Sequence, residues 1–374
     1  MKKCTSLVPL ARRGTLALLI LSTLSNPGTK ANSAPDPANL RSQECIAKLS
    51  NSFKVGQLLL PIVPDPKLAT AYAAQGLVTG VVAIGAVSKT QAAAYQTLLA
   101  QPSPVPLLLA SDEEGGTVQR YRVLLGTLPS ARRFALTRTV DETRAAFEDY
   151  GKKLKKLGVS VALAPVADVG GGPGIGSRSF SGDADVAGAY AQAVAKGYLA
   201  AGVTPVYKHF PGHGRASADT HKSLALTPPL RDLRKSDLKP FSTLRDSKGV
   251  AVMVGHLSVP GLTKGAPATV SREAIDGLLR NEIGFDGVVF SDAFGMGAIA
   301  NYLPMEAATV RFIQAGGNVI ILPTLGGVAG VHSNLVLAVK KKEISAARLN
   351  DSVRRVLAMK GVEPCSIAQP RLRG

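Results

Sequence analysis

Two textures alternate along this chain. Short apolar, β-rich runs occupy 57–63, 80–85, 106–112, 161–168, 204–210, 250–256, 287–292 and 318–323. Longer stretches of helical character separate them, among them Asp141–Leu157, Asp185–Ala201, Arg272–Asn281 and Pro304–Ala315. Strands that alternate with helices imply a parallel sheet joined by right-handed crossovers. Eight such units in about 310 residues predict an α/β fold, a single (β/α)8 TIM-type barrel, rather than an open sheet. An open doubly wound sheet would carry its Gly-rich phosphate turn after the first strand. The Gly-rich stretch here, 170–176, follows the fourth strand and opens no helix, so a flexible loop is expected.

The ends of these strands carry a second pattern. Asp112, Asp168, Lys208-His209, His256 and Asp292 each close an apolar run. In a barrel the carboxyl ends of all strands meet on one face, where active sites are built. Helix capping explains one or two such residues and explains five poorly.

Composition refines the picture at the edges of the chain. Of the 374 residues, 45% are apolar and 19% charged, enough to bury a sizeable core. Lys2, Lys3, Arg12 and Arg13 precede an apolar run from Thr15 to Leu24, followed by small and polar residues. That reads as an export signal over residues 1–33, the alternative being a retained anchor. Residues 34–50, rich in Pro and polar side chains, are expected to be a linker, 51–362 the barrel and 363–374 a tail. With Cys4 in the leader, Cys45 and Cys365 are left to pair in an oxidising compartment.

The net charge of +18 falls to about +13 without the five basic residues of the leader. Such an excess attracts polyanions. For an exported protein these are anionic wall polymers rather than nucleic acid. The runs Lys152–Lys156 and Lys340–Lys342 are expected on solvated helix faces.

Three stretches carry the chemistry: Ser111-Asp112-Glu113-Glu114-Gly115-Gly116, Lys208-His209-Phe210-Pro211-Gly212-His213-Gly214 followed by Asp219-Thr220-His221, and Ser291-Asp292-Ala293-Phe294-Gly295-Met296. With Gly176-Ser177-Arg178-Ser179-Phe180, they closely resemble glycoside hydrolase family 3, and within it the single-domain β-N-acetylglucosaminidases. The resemblance runs from about residue 52 to 360. It implies a retaining hydrolase without a cofactor or metal, acting on terminal non-reducing β-N-acetylglucosamine. For an exported enzyme, N-acetylglucosaminyl fragments of peptidoglycan are the natural substrate. A monomer in the cell envelope or secreted is expected.

Cleaving a glycoside requires a group to stabilise the oxocarbenium-like centre and another to protonate the leaving oxygen. The resemblance makes Asp292 the nucleophile and Asp219 and His221 an acid/base dyad. In an extended segment residues i and i+2 face the same way, so Asp219 can orient the imidazole, and a histidine can both give and take a proton near neutral pH. Asp112, Arg120, Arg178, Lys208 and His209 match the positions that hold the sugar ring. His213, in a tight Pro-Gly-His-Gly turn, is read as shaping the loop. Many members of this group carry an acid directly after the nucleophile, where this chain has Ala293. Four other readings compete: a metal-dependent hydrolase built on His209, His213, His221 and Asp292, a substrate-assisted mechanism on Asp112 and Glu113, β-glucosidase or phosphorylase activity, and a non-catalytic wall-binding barrel.

Overall fold

The computed structural model of the chain describes residues 37–368; the expected export signal lies outside them. Strands form at all eight expected places: β1 (Leu59–Pro61), β2 (Gly80–Ala83), β3 (Leu108–Ser111), β4 (Val161–Ala162), β5 (Thr204–Phe210), β6 (Ala251–Val254), β7 (Val288–Ser291) and β8 (Ile320–Leu322). Strands β2 to β7 make one parallel sheet in chain order, and β8 pairs with β1 in the register Leu59↔Ile320. Single parallel bridges, Ile62↔Val82 and Phe290↔Val319, join β1 to β2 and β7 to β8. The ring is closed, as a (β/α)8 barrel requires.

The helices around it are α1 (Pro37–Lys48), α2 (Asn51–Gly56), α3 (Lys89–Leu99), α4 (Val140–Lys156), α5 (Ala184–Ala200), α6 (Met305–Gln314), α7 (Val328–Lys340) and α8 (Ala346–Met359), with short turns between some of them. Local chemistry starts and orients them. In α4, Thr139 and Glu142 form a reciprocal capping box, acids fill the first turn, and Lys153, Lys155 and Lys156 fill the last. Its Thr143, Phe147, Tyr150 and Leu154 recur at helical spacing and are buried, while Lys152 and Lys153 are exposed as expected. Helices α4 and α5 approach closely, since a Cβ on Gly197 would stand 2.6 Å from the Arg144 carbonyl oxygen. The segment expected to be helical at 272–281 is a π-helix, Glu273–Glu282, with Ala274, Ile275, Leu278 and Leu279 turned inward.

The ends of the described chain depart from expectation. Residues 34–50 are not a linker through their length. Pro37–Lys48 is helix α1, which packs on α8 and on the turn at Pro364–Ser366. Ile46 and Leu49 are buried, and Cys45 is disulfide-bonded to Cys365, as the cysteine arithmetic predicted. Burial of those two side chains supplies the driving force that the Pro-rich composition conceals. Helix α8 does not join the outer ring but runs across the amino-terminal end of the barrel. Arg348 reaches the Gly317 carbonyl before β8, Arg355 reaches Asp286 before β7, and Lys360, just past the helix, donates to the Thr79 carbonyl before β2.

Candidate active site

At the opposite, carboxyl end, the strand-terminal residues line a cavity of about 300 Å³. Asp112, Arg120, Arg178, Lys208, His209, His221 and Asp292 all border it, among apolar walls that include Leu163, Met253 and Met296. Seven of the eight expected site residues therefore meet in one place. Asp219 stands behind His221, with its Oδ1 2.8 Å from His221 Nδ1 and 3.0 Å from the His221 backbone nitrogen.

One side of the cavity is an ionic lattice. Lys208, nearly inaccessible on β5, donates to Asp112 at 2.8 Å and pairs with Glu114 at 2.7 Å. Arg120 holds the other oxygen of Asp112 at 2.8 Å, and Arg178 grips Glu114 through two nitrogens at 2.7 and 2.8 Å. Burial alone would raise both carboxyls, but the Lys208 and arginine charges outweigh it and hold them below their ordinary values. Side chains fixed this way can present oriented charge to a polar ligand without reorganising.

His209 is held from behind. Its Nδ1 lies 2.7 Å from Asp168, a carboxylate with no solvent exposure that also accepts the backbone N–H groups of His209 and His213. Desolvation would push Asp168 up, yet His209, His213 and those N–H groups bring it down to about 2. A carboxylate can only accept here, so Nδ1 carries the proton and Nε2 faces Arg178, 3.4 Å away.

Asp292 follows β7 and is fixed by its backbone, which donates to Val254 at 3.1 Å, and by the Ala293 N–H, which donates to its Oδ1 at 2.8 Å. Burial works against its charge. His209 and His256, then the Ala293 N–H and Lys208, more than compensate and depress its pKa. His256 is fully buried, with Nε2 on the Ala293 carbonyl and Nδ1 on the Thr269 hydroxyl, and desolvation favours its neutral form.

The loop bearing Asp219 and His221 is seated on the chain that continues from β7 past Asp292. Gly297 and Ala298 donate to the carbonyls of His221 and Thr220 at 3.0 and 3.1 Å. A Cβ on Gly297 would meet the Lys222 carbonyl at 2.4 Å, so the glycine is required for that contact. His213 supports the same loop from inside through Thr220 at 2.9 Å, the shaping role expected of it. The glycine stretch at 170–176, expected to be a flexible loop, is the loop's other seat. Gly172 donates to Gly214, and Gly174 lies against Asp219 while its carbonyl accepts from Arg178 at 2.8 Å.

The pattern of the glycosyl hydrolase family 3 N-terminal domain matches residues 52–359. The chain belongs to glycosyl hydrolase family 3. The β-hexosaminidase LpqI of Mycobacterium tuberculosis is 43% identical over 332 residues, 85% of this chain and 84% of that protein. Its solved structure superposes with a TM-score of 0.81 over 88% of this chain and 98% of its own, at 42% identity. A β-N-acetylhexosaminidase from Beutenbergia cavernae gives a TM-score of 0.78 at 28% identity over 84% of this chain and all of the other. This family 3 chain is a glycoside hydrolase of the β-N-acetylhexosaminidase type.

Within the family 3 site, Glu114, Asp168 and His256 are residues that the motifs did not assign. Asp168 and His256 closed predicted strands, so the strand-end pattern held the signal, whereas Glu114 acts through Arg178, 64 positions away. Glu113 turns out of the cavity. It is fully buried behind β3 and bonded to Ser111, Tyr150 and two backbone N–H groups. A substrate-assisted pair of Asp112 and Glu113 thus lacks its second member at the cavity wall.

Proposed function

We propose that this family 3 enzyme is an exported, retaining β-N-acetylglucosaminidase acting on terminal β-N-acetylglucosamine of peptidoglycan fragments. In the first step a carboxylate oxygen of Asp292 attacks the anomeric carbon as the glycosidic C–O bond breaks. His221 gives its Nε2 proton to the departing oxygen, while Asp219 holds the Nδ1 proton and stabilises the imidazolium. In the second step His221 takes a proton from water, which attacks the glycosyl-enzyme and releases Asp292. Asp112, Arg120, Arg178, Lys208 and His209 hold the ring of the N-acetylglucosamine.

The observation that carries this reading is a contrast among carboxylates. Among the described residues lining the cavity, Asp112 is occupied by two cations, whereas Asp292 is half-buried, held in its charged form and bonded only to a backbone N–H. His221 borders the same cavity, with 63% of its side chain exposed. The choice of sugar is supported by the names of relatives, which include a β-N-acetylglucosaminidase of Thermotoga maritima at 28% identity and a TM-score of 0.74. Export and wall substrates rest on the leader pattern, the disulfide and the basic balance of charge.

A leaving-group series tests the dyad. His221→Ala should lose about 10²–10⁴-fold on a natural disaccharide, whose alkoxide needs the full proton. A dinitrophenyl glycoside needs almost none, so glycosyl-enzyme formation should be nearly spared and its hydrolysis should limit turnover. Azide should rescue that second step and give the β-glycosyl azide, with Asp219→Ala a milder version of the pattern. Equal losses on every leaving group, or an inverted azide, would show that the acid lies elsewhere.

A further inference from the structure

Directly behind the sugar-binding wall lies a buried polar knot that the proposed mechanism does not use. Asp112 and Glu113 are neighbours at the end of β3, so their side chains leave on opposite sides: Asp112 into the cavity, Glu113 into the layer between strands and helices. Glu113 Oε1 accepts the Ser111 hydroxyl at 2.6 Å and the backbone N–H groups of Arg120 and Tyr121, each at 3.2 Å. Its Oε2 accepts the Tyr150 hydroxyl of α4 at 2.7 Å. Tyr150 accepts in turn from Gln119 at 2.8 Å, and Gln119 ties down Gly126 and Leu128. From α5, Tyr198 donates to the Glu113 carbonyl at 2.7 Å.

We infer that Glu113 is a positioning residue that sets sugar affinity by fastening the Asp112–Arg120 turn to helices α4 and α5. The inference rests on the proposal that Asp112 and Arg120 hold the sugar. It goes further in giving that subsite a control element outside the cavity. Both ends of the turn depend on this carboxylate, because Ser111 precedes Asp112 and the two N–H groups belong to Arg120 and its successor. Every neighbour of Glu113 donates to it. The ionised carboxylate can accept all four bonds, whereas its protonated form must itself donate at one oxygen and lose a partner there. Desolvation raises the Glu113 pKa to about 7, so the charge that holds the turn is present above neutrality and is lost below it. The other ionisable groups around the knot do not change charge in that interval. Burial raises the hydroxyls of Tyr121, Tyr150 and Tyr198, and Asp112 and Glu114 are held low by Lys208 and their arginines.

The test is calorimetric titration of the full chain with free N-acetylglucosamine from pH 5.5 to 8.5, beside kcat and KM on an aryl N-acetylglucosaminide. Wild type should bind about tenfold more tightly at the upper end than at the lower. Glu113→Gln presents an amide N–H to a ring of donors, so it should bind roughly 10- to 100-fold more weakly at pH 8. Subtracting its pH profile from that of wild type should leave a single step near 7, with KM raised and kcat changed less than about threefold. Ser111→Ala removes one donor and keeps the acid, so it should move that step upward. It also serves if the glutamine variant fails to fold. Asp112→Ala separates the two proposals. If it leaves affinity unchanged, the sugar-binding assignment fails. If it abolishes binding while Glu113→Gln and Ser111→Ala keep the wild-type affinity and pH profile, the positioning role is overturned.

Discussion

The mouth and the base of this barrel gather the same residue types and put them to opposite uses. At the base the charges end on fixed partners. Arg280 donates to the carbonyls of Phe285 and Gly287 and to Asn318, and Arg355 pairs with Asp351 and Asp286. So much positive charge is confined there that burial, with Arg355 and Arg348 nearby, pulls Arg280 down to about 9. At the mouth the lattice of Asp112, Lys208, Glu114 and Arg178 is just as well bonded, but it borders open space in which the Asp292 carboxylate remains available. Ionic chemistry closes one end and equips the other. Changes at the base should therefore cost stability, and changes at the mouth should cost turnover.

The largest effect should come at the mouth. Asp292→Ala should lower turnover by roughly 10⁴-fold or more, with the melting temperature within a few degrees of wild type. A slow 2-fluoro sugar should label a wild-type peptide containing Asp292. Label on Asp112 or Glu113 would contradict both the assignment and the contrast between occupied and available carboxylates.

At the base the reverse is expected. Arg355→Ala removes the link from Asp351 to Asp286 while Arg348 and Arg354 still hold Asp351, and should lower the unfolding free energy by about 1–2 kcal/mol. Its kcat/KM should stay within about twofold of wild type when assayed well below the transition. A loss of activity without loss of stability would mean that the two ends are coupled. Acid should then discriminate more finely. Asp168, Asp112 and Asp292 have depressed pKa values in the folded state, so their contribution is complete above the ordinary carboxylate range and is lost as pH falls through their folded values. Unfolding free energy should fall steadily below about pH 4. Asp168→Asn should make that decline shallower by on the order of 2 kcal/mol between pH 5 and 2, since its folded pKa is about 2. Parallel curves for the two proteins would remove Asp168 from the account.

Much of the mouth was legible in the sequence because each part of it is local. An apolar run followed by Asp or Lys-His fixes both a strand and the residue at its end, and 3.6-residue spacing marks a helix such as α4 wherever it packs. The base was not legible for the same reason. Helix α8 carries Leu349, Val353, Val356 and Leu357 on one face, a pattern that fits an outer helix as well as one laid across the barrel. Only the partners of Arg348, Arg355 and Lys360, drawn from three different strand starts, distinguish the two. Helix α1 was hidden by Pro and polar residues around 34–41, although Ile46 within it and Leu49 just past it are buried. The knot around Glu113 joins residues from β3, α4 and α5, and no short motif could contain it.

The disulfide between Cys45 and Cys365, 320 positions apart, gives the barrel a property of topology. Between those cysteines the polypeptide is a covalent ring threaded through every strand, with both ends of the described chain outside it. One peptide cut in any surface loop turns the ring into a line and releases no fragment until the disulfide is reduced. The sequence could be reopened in such a loop and still retrace the same path. For an enzyme read as working where proteases are met, a first cut is an event the molecule can outlast.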